Sequence, residues 1–270
     1  MRILREGLAP VTLTPIRQKF SRSGSTWTIE DEDQLAELLA RVAIGQSRTV
    51  ERILRATGDL PARYPKGGFE GARKLLTVGT GDKTYHRDGW VFQVIAWIAA
   101  HRFDDEALIR APQMIKADKG LDGLIIEFDS DGIAHVVICE EKATKNPRNQ
   151  VKSKVWPEFE QFETGGRDNE LIASVTSLLE VSRDPDPDGT VADILWNEKR
   201  AYRVAVTVGG KYASAKGRKG LFKGYEKSVL GDVARRRAET LVLEDVRDWI
   251  DCVAEKALVK IDSAEAAANV

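Results

Sequence analysis

The sequence predicts an α/β protein with a central mixed sheet flanked by helices, and three observations carry that prediction. Trp90, Val91, Val94, Ile95, Trp97 and Ile98 spell a helix that is apolar around most of its circumference, as a buried helix is. Three extended apolar runs follow, Ala107 to Met114, Leu121 to Phe128 and Ile133 to Glu141, with turn residues Asp129-Ser-Asp-Gly132 between the last two. Further helical periodicity and an alternating run from Tyr202 to Val208 complete a helix, three strands, helix, strand order.

From the start of the chain, short apolar pairs with Pro10 and Pro15 and the Ser21-Arg-Ser-Gly-Ser25 stretch predict a strand or extended arm followed by a loop. Glu30-Asp-Glu-Asp33 before Leu35, Leu38, Leu39 and Val42 marks a helix start, because acids are favoured at the positive end of a helix dipole. Shorter helical patterns occupy 48–56 and 69–77, separated by a break containing Gly58, Pro61, Pro65, Gly67 and Gly68. Residues 1–85 therefore read as a mostly helical N-terminal segment, and 86–270 as the main domain.

Beyond the hairpin, Pro147 suits the first turn of a helix running through Trp156, Phe159 and Phe162, with Pro157 expected to kink or restart it. A second helix is expected from about Asn169 to Leu179, and Asp184-Pro-Asp-Pro-Asp-Gly189 as a surface loop. Gly209 to Gly224 reads as a basic mobile loop. Val233 to Val259 reads as one long C-terminal helix, with Arg235 to Arg237 as surface charge near its start, and Ser263 to Val270 as a frayed tail.

At 270 residues the chain can bury a full core, and its 42% apolar content is that of a globular protein. Charged residues make up 31%, yet the formal net charge is -1, so any nucleic-acid affinity must come from a local basic patch. Two cysteines, Cys139 and Cys252, provide no disulfide framework. The charged N-terminus and the interruption of the longest apolar run by Gln93 lead to an expectation of a cytoplasmic protein without a membrane span. His86, His101 and His135 lack zinc-ligand spacing, and the sequence has no phosphate-binding P-loop and no Gly-x-Ser-x-Gly nucleophile turn. His86-Arg87-Asp88 is spelled like a kinase triplet but lacks the glycine-rich loop and Asp-Phe-Gly that would accompany it.

Chemistry concentrates at Gly120-Leu-Asp122-Gly123 and at Val136-Val-Ile-Cys-Glu140-Glu-Lys142. Alternation along a strand puts Glu140 and Lys142 on one face and Glu141 on the other, and hairpin pairing brings Asp122 alongside. Two neighbouring carboxylates repel unless a cation intervenes, which calls for a hard divalent metal, Mg2+ or alternatively Mn2+, on Asp122 and Glu140. Lys142 is then placed to orient a nucleophile or stabilise developing charge. Glu127 and Glu141 are the alternative acids should the register differ by one residue.

This pattern resembles the PD-(D/E)XK nuclease superfamily, with Leu121 where the motif's proline would stand. The resemblance covers roughly residues 88–208 and implies a restriction-endonuclease-like αβββαβ core. It also implies catalytic Asp122, Glu140 and Lys142, and it places Gln93 where many members carry a supporting Glu or Gln. The implied activity is metal-dependent hydrolysis of nucleic acid, with DNA the expected substrate. The chain further resembles bacterial anti-phage defence nucleases, including the HamA subunit of Hachiman systems, which implies a helicase partner. A stand-alone restriction endonuclease and a non-catalytic nucleic-acid-binding protein on the same fold are the alternatives. Lys145, Arg148 and Lys152, with Lys154, form one candidate phosphate track. Lys216, Arg218 and Lys219, interleaved with Tyr212, Phe222 and Tyr225, form a second, for which a merely solvated loop is an equal reading.

Overall fold

The structure, a computed structural model, describes residues 10–18, 21–55, 63–104, 106–116, 120–130, 132–182, 186–196 and 199–268. The expected arm over 1–9, Gly58 and Pro61 of the predicted break, the beginning of the 184–189 loop and the last two tail residues lie outside the described residues.

Strands β1 (Val11–Gln18) and β2 (Arg22–Ile29) form an antiparallel hairpin. Helices α1 (Glu32–Ala43), α2 (Ser47–Leu54), α3 (Phe69–Leu76) and the long α4 (Thr84–Phe103) follow. The Asp31 side chain caps α1 by accepting from the Gln34 amide at 2.9 Å, and Glu32 and Asp33 occupy its first turn. Next, β3 (Leu108–Ile109), β4 (Gly123–Asp129) and β5 (Gly132–Lys142) make an antiparallel meander.

A helical rod comes after the meander: α5 (Pro147–Gln150), a π-helical stretch Val151–Val155, and α6 (Trp156–Glu163). The Trp156 amide bonds the Val151 carbonyl, five residues back, and this wider turn carries the rod past Pro157, which has no amide hydrogen to give. Helices α7 (Asp168–Ser182) and α8 (Pro187–Trp196) lead to β6 (Arg200–Val208). Short helices α9 (Ala215–Leu221) and α10 (Tyr225–Ser228) precede β7 (Arg236–Val242) and α11 (Val246–Ala268).

These strands form one mixed sheet in the order β1-β2-β7-β6-β5-β4-β3, in which β2, β7, β6 and β5 run parallel to one another. Both faces are covered. On one, α1, α3, α4 and α11 bury residues such as Leu39, Leu76, Ile95 and Ile250 against Trp27 and Leu241. On the other, Phe159, Phe162, Leu171 and Val175 cover Leu124, Ile126, Val136, Ile138 and Val204. Burial on two faces explains why Val136 to Cys139 is an unbroken apolar run rather than an alternating one, with Val136 and Ile138 packed on one side and Val137 and Cys139 on the other.

Several expectations are corrected. Ser21–Ser25, expected as a loop, belongs largely to β2. There Gly24, at φ +145°, lies so close to β7 that a Cβ would fall 2.0 Å from the Ala238 carbonyl oxygen. Residues 10–85 thus supply two sheet strands as well as helices. Ala107 to Met114 shrinks to the two-residue edge strand β3. Val233–Val259 is not one helix: Leu241 lies on β7, and the helix starts at Val246. Arg236 is 4% exposed and donates to the carbonyls of Ser21, Val229 and Gly231, while Arg237 forms a buried pair with Glu127, so neither is surface charge. Most of the expected 209–224 loop is helical, and Phe222 and Tyr225 are core residues. Tyr225 stacks on Trp156 at 4.5 Å and donates to the Tyr202 carbonyl, which leaves neither ring available to a base. The tail is helical through Ala268.

Candidate active site

Pairing of β4 with β5 sets Gly123 opposite Cys139. Asp122, the residue before Gly123, therefore lies beside Glu140, the residue after Cys139. Within β5, Glu140 and Lys142 project to one face and Glu141 to the other. The Lys142 ammonium donates to Glu140 and, at 3.2 Å, to Asp122 Oδ2. The same Asp122 oxygen accepts from the Glu141 backbone amide at 3.1 Å. Gln93, from α4, donates to the Asp122 carbonyl, and Arg110 donates to the Leu121 carbonyl. Two side chains from separate elements thus hold the approach to β4 in place.

The residues of this centre differ in charge environment. Burial pushes the Glu140 carboxyl well above the ordinary carboxylate range, Asp122 pushes it further, and Lys142 pulls it back. Burial also opposes a charge on Lys142, but Glu140 and Asp122 outweigh it and hold the ammonium above its ordinary value. On the reverse face, burial and the Asp122 charge push Glu141 up to about 8, against the pull of Arg203 at 3.8 Å. Glu141 Oε2 is buried without a hydrogen-bond partner, and it faces a small void lined also by Gln93, Trp97 and Arg203.

Asp122 and Glu140 both reach the Lys142 ammonium, so the same position accommodates a small cation in contact with two carboxylate oxygens. Among the described residues no three His, Cys, Asp or Glu side chains gather into a metal cluster. A two-carboxylate set completed by water and a phosphate oxygen is nonetheless the donor chemistry Mg2+ takes, and these residues fit it.

A cleft of about 640 Å³ opens over the centre, lined by Asp122, Glu141 and Lys142 at its floor and by Tyr85, His86, Gly89 and Gln93 of α4. Lys145 reaches this cleft and forms an exposed pair with Asp245 at 2.9 Å. Arg148 does not line it: its Nη1 donates to the carbonyls of Leu221 and Lys223, tying the start of α5 to the end of α9. Lys152 is exposed on the π-helical stretch, and Lys216 and Lys219 are exposed on α9, all outside the cleft lining. Arg218, half-buried, donates to the Ala213 carbonyl.

Of the alternative acids, Glu127 lies toward the far end of β4. Burial would raise its carboxyl, but Arg237 and His135 outweigh burial and hold it down at about 2. It serves a buried ion pair rather than the cleft. Sequence reasoning missed Arg203 and Glu239, which pair at 2.6 Å beneath Glu141, with Ser25 donating to Glu239 at 3.0 Å. The available signal was Arg203 in the middle of the otherwise mostly apolar run Ala201 to Val208; Glu239 lies in a run with Arg236, Arg237 and Thr240 and carried no such signal. It also missed Arg247, exposed on the cleft lining, whose position depends on where α11 docks. No protein-family model, curated protein sequence or solved structure matches the chain.

Proposed function

We propose that this chain is a metal-dependent phosphodiesterase of the PD-(D/E)XK type that hydrolyses nucleic acid, with DNA as its substrate. The observation that carries the reading is the convergence of Asp122 and the buried Glu140 on the Lys142 ammonium, with Asp122 and Lys142 lining an open cleft. Supporting it is the order of elements around that point: α4, the antiparallel β3-β4-β5 meander, the helices after β5, and β6 parallel to β5. In this reading that order corresponds to the αβββαβ core of the restriction-endonuclease-like fold.

In this reading Asp122 and Glu140 hold Mg2+ or Mn2+, which when bound supplies Lewis-acid polarisation of a phosphate oxygen and acidifies a water. Lys142 stays charged through the working range and donates to the attacking water or to the phosphate oxygens as negative charge builds on them. The Glu141 amide aligns Asp122, and Gln93 fixes the backbone that carries it. Lys145, at the cleft, neutralises substrate phosphate. Lys152, Lys216 and Lys219 are exposed outside it. The sequence has no P-loop motif, and in the anti-phage role that the resemblance suggests strand separation would fall to a helicase partner.

The test is incubation of purified protein with supercoiled plasmid, linear duplex and single-stranded substrates, in Mg2+ or Mn2+ and in chelator, alongside Lys142→Ala. The expected result is metal-dependent cleavage that the substitution abolishes. Equal inertness of both proteins, with and without a helicase partner, overturns it. One observation favours a second reading, a nucleic-acid-binding protein without catalysis: the Lys142 ammonium already satisfies both carboxylates. That reading predicts no rise in melting temperature with Mg2+ or Mn2+, whereas a metal site predicts a rise that Asp122→Ala removes.

A further inference from the structure

Tyr85, Gly89 and Gln93 are spaced four residues apart and form a single stripe along α4, and all three line the cleft. Tyr85 is 54% exposed at the outer end of the stripe, so its ring is open to whatever enters the cleft. The His86 ring packs against it nearly at right angles, with centroids 4.5 Å apart and planes at 84°, which braces the tyrosine. Between Tyr85 and Gln93 the stripe is vacant: a Cβ added at Gly89 would meet nothing within 4 Å. Eight residues of helix separate Tyr85 from Gln93, roughly 12 Å, so the slot is wide enough for a planar base. Ile115, 65% exposed, adds apolar surface to the same cleft.

The remaining lining is of opposite character. Lys145 in the loop after β5, paired at 2.9 Å with Asp245, Lys154 on the π-helical stretch and Arg247 on α11 expose cationic side chains to the cleft. The acids in the lining are either at the floor or engaged: Asp88 with Arg87 at 2.8 Å, and Glu158 with Arg167. One part of the cleft is therefore aromatic and apolar with a vacant slot, and the other is basic. Single-stranded nucleic acid presents base faces and phosphates together, whereas in a duplex the base faces are already stacked on one another.

We propose that the Tyr85–Gly89 stripe of α4 is a base-stacking wall, and that the strand entering the cleft is single-stranded DNA with its phosphates on Lys145, Lys154 and Arg247. The inference deepens the nuclease reading by naming the substrate class of the same cleft, and it rests on that reading for its location. The test is fluorescence anisotropy in chelator with a labelled oligothymidylate and with a duplex of equal length. Wild type binds the single strand more tightly. Tyr85→Ala weakens that binding at least about fivefold, the lower end of what one base–aromatic stack contributes, and Tyr85→Phe retains it. Gly89→Leu fills the slot and weakens binding comparably while raising the melting temperature, since leucine is the better helix former. The last pairing separates a blocked slot from a damaged fold.

Absence of single-strand preference, absence of any oligonucleotide binding, or wild-type affinity in Tyr85→Ala and Gly89→Leu overturns the proposal. Metal-dependent cleavage of duplex that is indifferent to both substitutions overturns it and leaves the nuclease reading standing. Single-strand binding that responds to both substitutions, in a protein that cleaves nothing with metal and partner present, overturns the nuclease reading and leaves the stacking wall.

Discussion

Replacing Lys142 by alanine removes the cation that touches both Asp122 and Glu140, and the consequence for stability can be worked through. The two acids remain side by side, one of them 4% exposed, with no counter-charge between them. Breaking a buried pair by removing one partner costs about 3–5 kcal/mol, because the remaining charge keeps its desolvation penalty and loses its attraction. For 270 residues, an unfolding entropy of about 2.1 cal/mol/K per residue gives about 0.6 kcal/mol for each degree of melting temperature. The variant should therefore melt about 5–9 °C below wild type in chelator. A divalent ion at a hundred times its dissociation constant returns about 2.7 kcal/mol, a recovery of about 5 °C. The recovery should exceed the shift seen in wild type, where the ion must displace the ammonium. Scanning calorimetry of both proteins, with chelator and with Mn2+, gives the answer. A variant that melts within about 1 °C of wild type in chelator, or a metal shift larger in wild type than in the variant, refutes this account of the centre. Adding Asp122→Asn to the variant should abolish the recovery.

Two further outcomes are expected from the fold. Glu127 is held down at about 2 by Arg237 and His135 against the effect of burial, from an ordinary carboxylate value of 4.5. Its contribution, about 3 kcal/mol, is therefore fully present above the unfolded-state value and is lost as pH falls from about 4.5 toward 2. Denaturant melts of Glu127→Gln against wild type should show a gap at neutral pH that closes over this acidic window, and a constant gap refutes the pairing. Gly24→Ala would drive a Cβ into the backbone of Ala238, which cannot swing away as a side chain can. It should cost about 3 kcal/mol or more in urea unfolding by forcing β2 from β7, and a near-neutral result would show that the two strands do not approach as described.

The parts of this protein legible in its sequence are those whose signal is local. The all-round apolar helix around Trp90 to Ile98, the Asp129–Gly132 turn and the strands on either side of it each occupy a short window. Strand alternation is enough to pair Glu140 with Lys142 on one face and to set Glu141 against them. The hairpin then brings Asp122 to the same place, since the two strands are consecutive and antiparallel. The α-versus-β reading of 233–259 failed for the complementary reason: a buried strand and the helix after it share a continuous apolar pattern, and periodicity alone did not mark the boundary at Val242.

Contacts made across the chain belong to the tertiary structure. β2 enters the sheet by pairing with β7 more than two hundred residues later, Ser23 opposite Arg237, and nothing near Ser23 encodes that partner. The same holds for the burial of Arg236 and Arg237. A basic triplet reads as surface charge until carbonyls from Ser21, Val229 and Gly231 and the carboxylate of Glu127 surround it. The cleft is decided at this level too, because its lining joins α4, the strand ends, the π-helical stretch and α11. Short-range patterning specifies which face of an element is apolar and which residues share it. Which elements meet, and what lies between them, is set by burying all those faces at once, a condition on the whole chain that no window of it contains.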